Sequence, residues 1–361
     1  MLYNSFFDLL RYSIGTSESF PQLTEEEWQD MYETAKKQSL IGVAFMGISR
    51  LPAEKQPPRR IKLNWYAQAE KIAKRSEDIN KVAVAVAGQF SKAGYRNCIL
   101  KGVGNALMYP QPSARTSGDI DLWVEGDIDK LVALARKRLP AAKACYHHVD
   151  MGKVGGVEVE LHYRPSFMNS LVHNARLQRW FKKEADEQFL HQVELPGGVG
   201  QVCVPTVAFN LVYQMSHISN HVIHEGIGLR QLLDYYYYLL KSASKDKLEI
   251  RNEQLEMTLR HVGLYRVASA VMYVLHEVFG LQQELMVVPM DEKRGRFLLN
   301  EIMIAGNFGQ YDERVQHHAG AIRKNMQRVK RDVRLLRYFP SECLWEPIFR
   351  WWHFFWRLAH R

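Results

Sequence analysis

Two aspartates one residue apart, Asp119 and Asp121, lie in the segment Gly118-Asp-Ile-Asp-Leu-Trp-Val124. In a β-strand, residues two apart share a face, so the carboxylates stand side by side while Ile120, Leu122 and Val124 point into a core. Adjacent carboxylates repel and raise one another's pKa, and a divalent cation such as Mg²⁺ or Mn²⁺ relieves that repulsion. Further along, Val157-Glu-Val-Glu-Leu-His162 repeats the alternation, with Val157, Val159 and Leu161 on one face and Glu158, Glu160 and His162 on the other. If that polar face meets the aspartates in one sheet, a glutamate completes a cluster of three acids, and Glu160, mid-strand, is better placed than Glu158. Upstream, Leu100-Lys-Gly-Val-Gly-Asn105 ends a short apolar run and opens a helix. Gly102 and Gly104 let backbone approach a ligand there, and the amides at a helix start favour phosphate. Lys101 and Arg115 are the candidate phosphate cations, Arg115 the more so because a guanidinium forms paired hydrogen bonds.

These residues need a sheet to hold them, and the pattern around them supplies one. Residues 1–88 read as helices: Phe6, Leu9, Leu10 and Ile14 fall at helical spacing, Thr24-Glu-Glu-Glu27 resembles a capping box, and Trp65–Ala87 is long and Ala-rich. Residues 89–204 change to short apolar runs, with strands predicted at Cys98–Leu100, Ile120–Val124 and Val157–His162 and a helix over Asp127–Leu139. Residues 205–361 return to helices, beginning with the stripe Val207, Leu211, Met215, Ile218 and Val222 and continuing from Leu229 past the tyrosine run Tyr235–Tyr238. That run is expected on a helix between core and solvent. Pro340 and Pro347 are expected to interrupt the tail.

A small-residue turn at Val103-Gly104-Asn105, a spacer over residues 106–118, the pair Asp119-Ile-Asp121 and a third acid on a later strand together resemble the DNA polymerase β nucleotidyltransferase superfamily. Within it, Leu100-Lys-Gly102, Tyr109-Pro110, Arg115, Gly118-Asp-Ile-Asp121, and later His217, His221, Gly228-Leu-Arg230 and Leu233-Asp234 are similar to a bacterial family of uncharacterised nucleotidyltransferases. Asn105 stands where the superfamily usually has Ser. The resemblance implies an α+β fold, a short mixed sheet with helices, flanked by N-terminal and C-terminal helical regions. It implies a Mg²⁺-dependent enzyme moving a nucleoside monophosphate from a nucleoside triphosphate to an acceptor hydroxyl with release of pyrophosphate. Asp119, Asp121 and Glu160 would be the catalytic metal ligands, and Lys101, Gly102, Gly104, Asn105 and Arg115 the nucleotide contacts. A catalytically silent nucleotide-binding protein and a toxin-like RNA-modifying transferase are the alternatives. A small molecule, sugar or protein is favoured over RNA as the acceptor.

Several other features have plainer readings. His217, His221 and His224 share a helix face, but no metalloprotease Glu lies between the first two, which favours packing or hydrogen bonding over zinc. Arg230 and Asp234, four apart, read as a helix pair or as groups facing the cleft. The 361 residues are 47% apolar and 24% charged, with Gly and Pro scattered and no repetitive tract, which disfavours disordered, collagen-like and solenoid architectures. The net charge of +9 resides mostly between Gly320 and Arg361, where ten Lys/Arg face three acids. The aromatics and cations of Arg350–Arg361 suit packing on the helical region first, peripheral membrane contact second and RNA third. The start of the chain does not read as a signal peptide, and four scattered cysteines suggest no disulfide framework, so a cytoplasmic, membrane-peripheral at most, location is expected.

Overall fold

The computed structural model describes residues 2–243, 248–315 and 320–360. Four helices come first, α1 (Leu2–Ile14), α2 (Glu25–Lys37), α3 (Ile41–Ile48) and α4 (Arg59–Lys92). The capping box forms as predicted: the Thr24 hydroxyl accepts from the Glu27 amide at 3.3 Å, and the Glu27 carboxylate accepts from the Thr24 amide at 2.8 Å.

The central part runs β1 (Asn97–Ile99), the single-turn α5 (Val103–Ala106), β2 (Ile120–Val124), α6 (Ile128–Arg138), β3 (His148–Val154), β4 (Val157–His162) and α7 (Leu171–Leu190). The sheet order is β1-β2-β4-β3, with β2 and β4 parallel and both outer pairs antiparallel, the short mixed sheet anticipated. Sequence reading did not identify β3, nor the small hairpin β5 (Gln192–Glu194) and β6 (Gln201–Cys203). One face of the sheet, carrying Ile120, Leu122, Val124, Val157, Val159 and Leu161, packs on Ile79, Ala83, Val86 and Phe90 of α4 and on Leu131 and Ala135 of α6. Burying this aliphatic face fixes the register, because a one-residue slip would turn the acids inward. On the other face Trp123 packs against Phe189 of α7, with ring centroids 4.5 Å apart.

The remaining helices are α8 (Val207–His224), α9 (Leu229–Ala243), α10 (Leu248–His261), α11 (Tyr265–Phe279), α12 (Glu292–Ala305), α13 (Ala321–Leu336) and α14 (Pro340–Ala359). Helices α1–α3 share one apolar core with α8, α9 and α11, and that core also takes in Cys98 and Trp123 of the sheet. Two expectations are corrected here. Tyr235–Tyr238 are all buried rather than lying at the core boundary: α9 packs against both α8 and α11, and burial is tolerable for Tyr235 and Tyr238 because their hydroxyls donate to Leu211 O and Asn105 Oδ1. The prolines do not break the tail into pieces. Pro340 opens α14, where its missing N–H is no loss, and the helix continues through Pro347. Among the described residues no helix is long and apolar enough to cross a membrane.

Candidate active site

The polar face of the sheet opens into a cavity of about 420 Å³ whose opposite wall is α8 and α9. Asp121 and Glu160 are directly paired in register on the parallel strands β2 and β4, and Asp119 lies immediately before β2. Asp119 and Glu160 line the cavity, and Asp121 lies behind them with a side chain only 1% exposed. Glu158, the other candidate acid, instead pairs with Lys153 of β3 at 3.5 Å.

The cations at this centre belong to the chain itself. Asp121 Oδ1 accepts from Lys101 Nζ at 3.1 Å and from His162 Nε2 at 3.0 Å, and His162 Nε2 lies 3.2 Å from Glu160 Oε2. Burial works against a charged His162, but its hydrogen bonds to Asp121 and Glu160 prevail and push its pKa up to about 9. Burial likewise opposes the Lys101 ammonium, and the charges of Asp121, Asp119 and Glu160 outweigh it, so its pKa rises. Burial would raise the pKa of Asp121, yet Lys101 and His162 draw it well below the usual carboxylate range. Asp119 moves the other way, raised by the neighbouring charge of Asp121 and then by burial. The repulsion expected from the sequence is therefore relieved for one aspartate and left acting on the other.

Asp121 Oδ2 is buried and has no hydrogen-bond partner. An orphaned carboxylate oxygen beside a second, electrostatically strained carboxylate offers hard oxygen donors, which fit Mg²⁺ or Mn²⁺. Asp119, Asp121 and Glu160 do not gather their ligand atoms as tightly as two histidine-containing groups do. Those groups are Cys145, His147 and His148, and His148, Glu160 and His162, each with ligand atoms within 4.8 Å of one another. Sequence reasoning overlooked His147 and His148. His148 lies opposite His162 in the β3–β4 ladder, a pairing that only the sheet order reveals.

The turn after β1 brings Lys101 and Gly102 to the cavity. Gly102 has φ +53°, a conformation open to glycine, and a side-chain carbon there would lie 3.4 Å from Asp119 O. The following helix is a single turn, and its Gly104 amide is already bonded to Lys101 O. Asn105 lies at the cavity floor within a buried network: its amide donates to Asp234 Oδ2 at 2.9 Å, and its Oδ1 accepts from Gln214 Nε2 at 2.9 Å. Arg115 is held there too, with Nε and Nη2 each donating 2.7 Å bonds to the two oxygens of Asp234, and Tyr109 OH adding a third at 2.7 Å. Asp234 thus pairs with Arg115 and not with Arg230, whose Nη1 donates to Thr116 O at 2.6 Å. On α8, His217 Nε2 lies 3.4 Å from Lys101 Nζ and 2.9 Å from His221 Nε2. Burial and the charge of Lys101 hold the His217 pKa well below the usual range, so it faces the cavity neutral.

The arrangement joins acids, an ammonium and a glycine-bearing turn at the rim of one cavity, which suits binding and transfer of a phosphorylated group. No curated protein matches the sequence. A crystal structure of an antigenic nucleotidyltransferase-like protein from Paracoccidioides brasiliensis aligns over 61% of this chain and 97% of that one, at 12% identity with a TM-score of 0.33, a likeness too slight to argue from. Residues 24–280, from α2 to the residue after α11, match the model of a family described as "Uncharacterised nucleotidyltransferase". The chain belongs to that family.

Proposed function

We propose that the protein is a nucleotidyltransferase of the DNA polymerase β-like superfamily, of bacterial type, that transfers a nucleoside monophosphate from a nucleoside triphosphate to an acceptor hydroxyl. The observation that carries this reading is the in-register pairing of Asp121 with Glu160, beside Asp119, with the Asp121 Oδ2 atom buried and unpartnered. Asp119, Asp121 and Glu160 are the residues that would hold Mg²⁺ or Mn²⁺, which when bound neutralises charge on the phosphates and lowers the pKa of a coordinated hydroxyl.

The chain's own groups do the rest. Lys101, 3.1 Å from Asp121 and lining the cavity, is the ammonium that would donate to a phosphate oxygen. Gly102 lets the backbone approach the phosphates at the turn. Arg115 and Asn105 act from beneath, fixing Asp234 and Gln214 as a rigid floor under that turn. His162 keeps the carboxylates of Asp121 and Glu160 together as a protonated spacer. In the transfer the acceptor oxygen bonds to the α-phosphorus while its proton passes to water, the bond from the α-phosphorus to the bridging oxygen breaks, and pyrophosphate departs with that oxygen. A small molecule, sugar or protein is the acceptor class, in the cytoplasm.

The test is incubation with each α-³²P-labelled nucleoside triphosphate, with Mg²⁺ or Mn²⁺, in cell extract. The expected result is label on a discrete acceptor together with free pyrophosphate, both lost with EDTA. Triphosphate binding without either product would leave a nucleotide-binding protein.

A further inference from the structure

The basic tail forms a helical hairpin, α13 and α14, beyond the family-matched span of residues 24–280. Along α13 the side chains of Ile322, Met326, Val329, Val333 and Leu336 follow helical spacing and are exposed, Ile322 by 82% and Val333 by 67%. Along α14, Leu344, Ile348, Trp351, Phe355 and Leu358 repeat that spacing and are also exposed, Trp351 by 66%. Each helix thus carries an unpartnered apolar stripe, well beyond the scattered apolar residues of an ordinary surface.

The charge on the same hairpin is one-sided. Its three acids, Asp332, Glu342 and Glu346, are buried, whereas Arg323, Lys324, Arg328, Lys330, Arg337 and Arg357 are exposed. Among the described residues the outer surface of the hairpin therefore carries only positive charge. A second copy brought against this surface meets like charge. RNA would find cations but, on α13, aliphatic side chains that offer no plane for a base to stack on. An anionic bilayer satisfies both features at once, since headgroups pair with the cations while aliphatic and indole side chains enter the boundary with the acyl chains.

The far face of α14 is fixed to the sheet module. The Tyr146 ring packs edge-on against Phe349 and Trp352 at 5.7 and 5.3 Å, and the Tyr146 amide donates to His353 Nε2 at 3.0 Å. Phe349 also stacks at 5.0 Å on Phe167, a residue that lines the cavity. We infer that the α13–α14 hairpin is a docking face for anionic lipid bilayers, held rigidly beside the cavity.

The full chain is mixed with vesicles of phosphatidylcholine alone and with vesicles containing phosphatidylglycerol, and the bound fraction is measured by flotation at rising salt. Binding to the anionic vesicles is expected to be at least about tenfold tighter and to weaken with salt. Replacing Arg323, Lys324 and Arg328 by Gln should weaken it on the order of a hundredfold, at about fivefold per cation. Trp351→Ala with Phe355→Ala, both exposed, should weaken it by about tenfold or more with an unchanged thermal melt. Val333→Glu provides the same test on α13. Equal affinity for both vesicle types, or binding indifferent to all three changes, would overturn the inference. So would a stable dimer that Val333→Glu dissociates, or RNA binding in place of vesicle binding.

Discussion

Two polar clusters lie side by side under the cavity, and they are built on opposite terms. Around Asp234 the carboxylate accepts from Arg115, Tyr109 and Asn105, and Asn105 is in turn held by Gln214 and Tyr238. Burial opposes the charges there, yet the mutual attraction of the pair lowers the Asp234 pKa and raises that of Arg115, so both remain ionised across any ordinary pH. Around Asp121 the account does not balance. One carboxylate oxygen is shared by Lys101 and His162, the other has no partner, and Asp119 is left with a raised pKa. A fully satisfied buried network rigidifies a fold, whereas a half-satisfied one is tolerated where a ligand is to complete it. The contrast separates the residues that build the floor from those that face substrate.

The comparison breaks most readily at Asp121. Asp121→Asn keeps the shape of the side chain and removes its charge, and with Asp119→Asn it should reduce nucleotide transfer on the order of a thousandfold or more, read as pyrophosphate release. Retained activity in both variants would move the chemistry elsewhere in the cavity. At the other cluster, Asp234→Ala leaves the Arg115 guanidinium buried without its counter-ion and is expected to destabilise the protein by about 3–5 kcal/mol in urea denaturation. That loss should not vary between pH 6 and 9, because neither partner titrates there. A near-neutral Asp234→Ala would mean that Arg115 finds water or another partner.

The two clusters also differ in how far they could be read from the chain. That Asp121 and Glu160 share a face of the sheet is legible because period-two alternation is local, and the apolar residues between them name the opposite face. Arg115 illustrates the limit. Its partner Asp234 is 119 residues away on α9, and nothing local distinguishes an arginine that meets a phosphate from one that meets a carboxylate. His148 is hidden for a related reason: β3 reaches the sheet as the edge strand beside β4, so its register with His162 depends on a strand order no single segment encodes. The tyrosine run misleads because amphipathic spacing on α9 does not disclose that helices pack on more than one side of it. The exposed stripe of α14 was readable as composition, but which of its aromatics pack on Tyr146 and which face outward was not.

The finest distinction between the clusters is their response to pH, and His162 provides it. Its folded pKa of about 9 exceeds the ordinary 6.5, so the stabilisation from its charge is fully present below pH 6.5 and is lost as pH rises through about 9. At roughly 1.4 kcal/mol per pKa unit, that shift corresponds to about 3 kcal/mol. The Asp121 pKa is lowered, so its contribution has the opposite sense, present above the ordinary 3.8 and lost as pH falls. Urea denaturation of the native chain and of His162→Asn, with EDTA present so that no metal competes for the carboxylates, should show a stability difference that is large at pH 6 and shrinks by about 3 kcal/mol by pH 10. Comparing the two proteins cancels the titration of the groups they share, except Asp121 and Glu160, whose pKa His162 itself lowers. A difference that stays constant across that range would mean that His162 is neutral between Asp121 and Glu160, leaving Lys101 alone to balance the acids of the site.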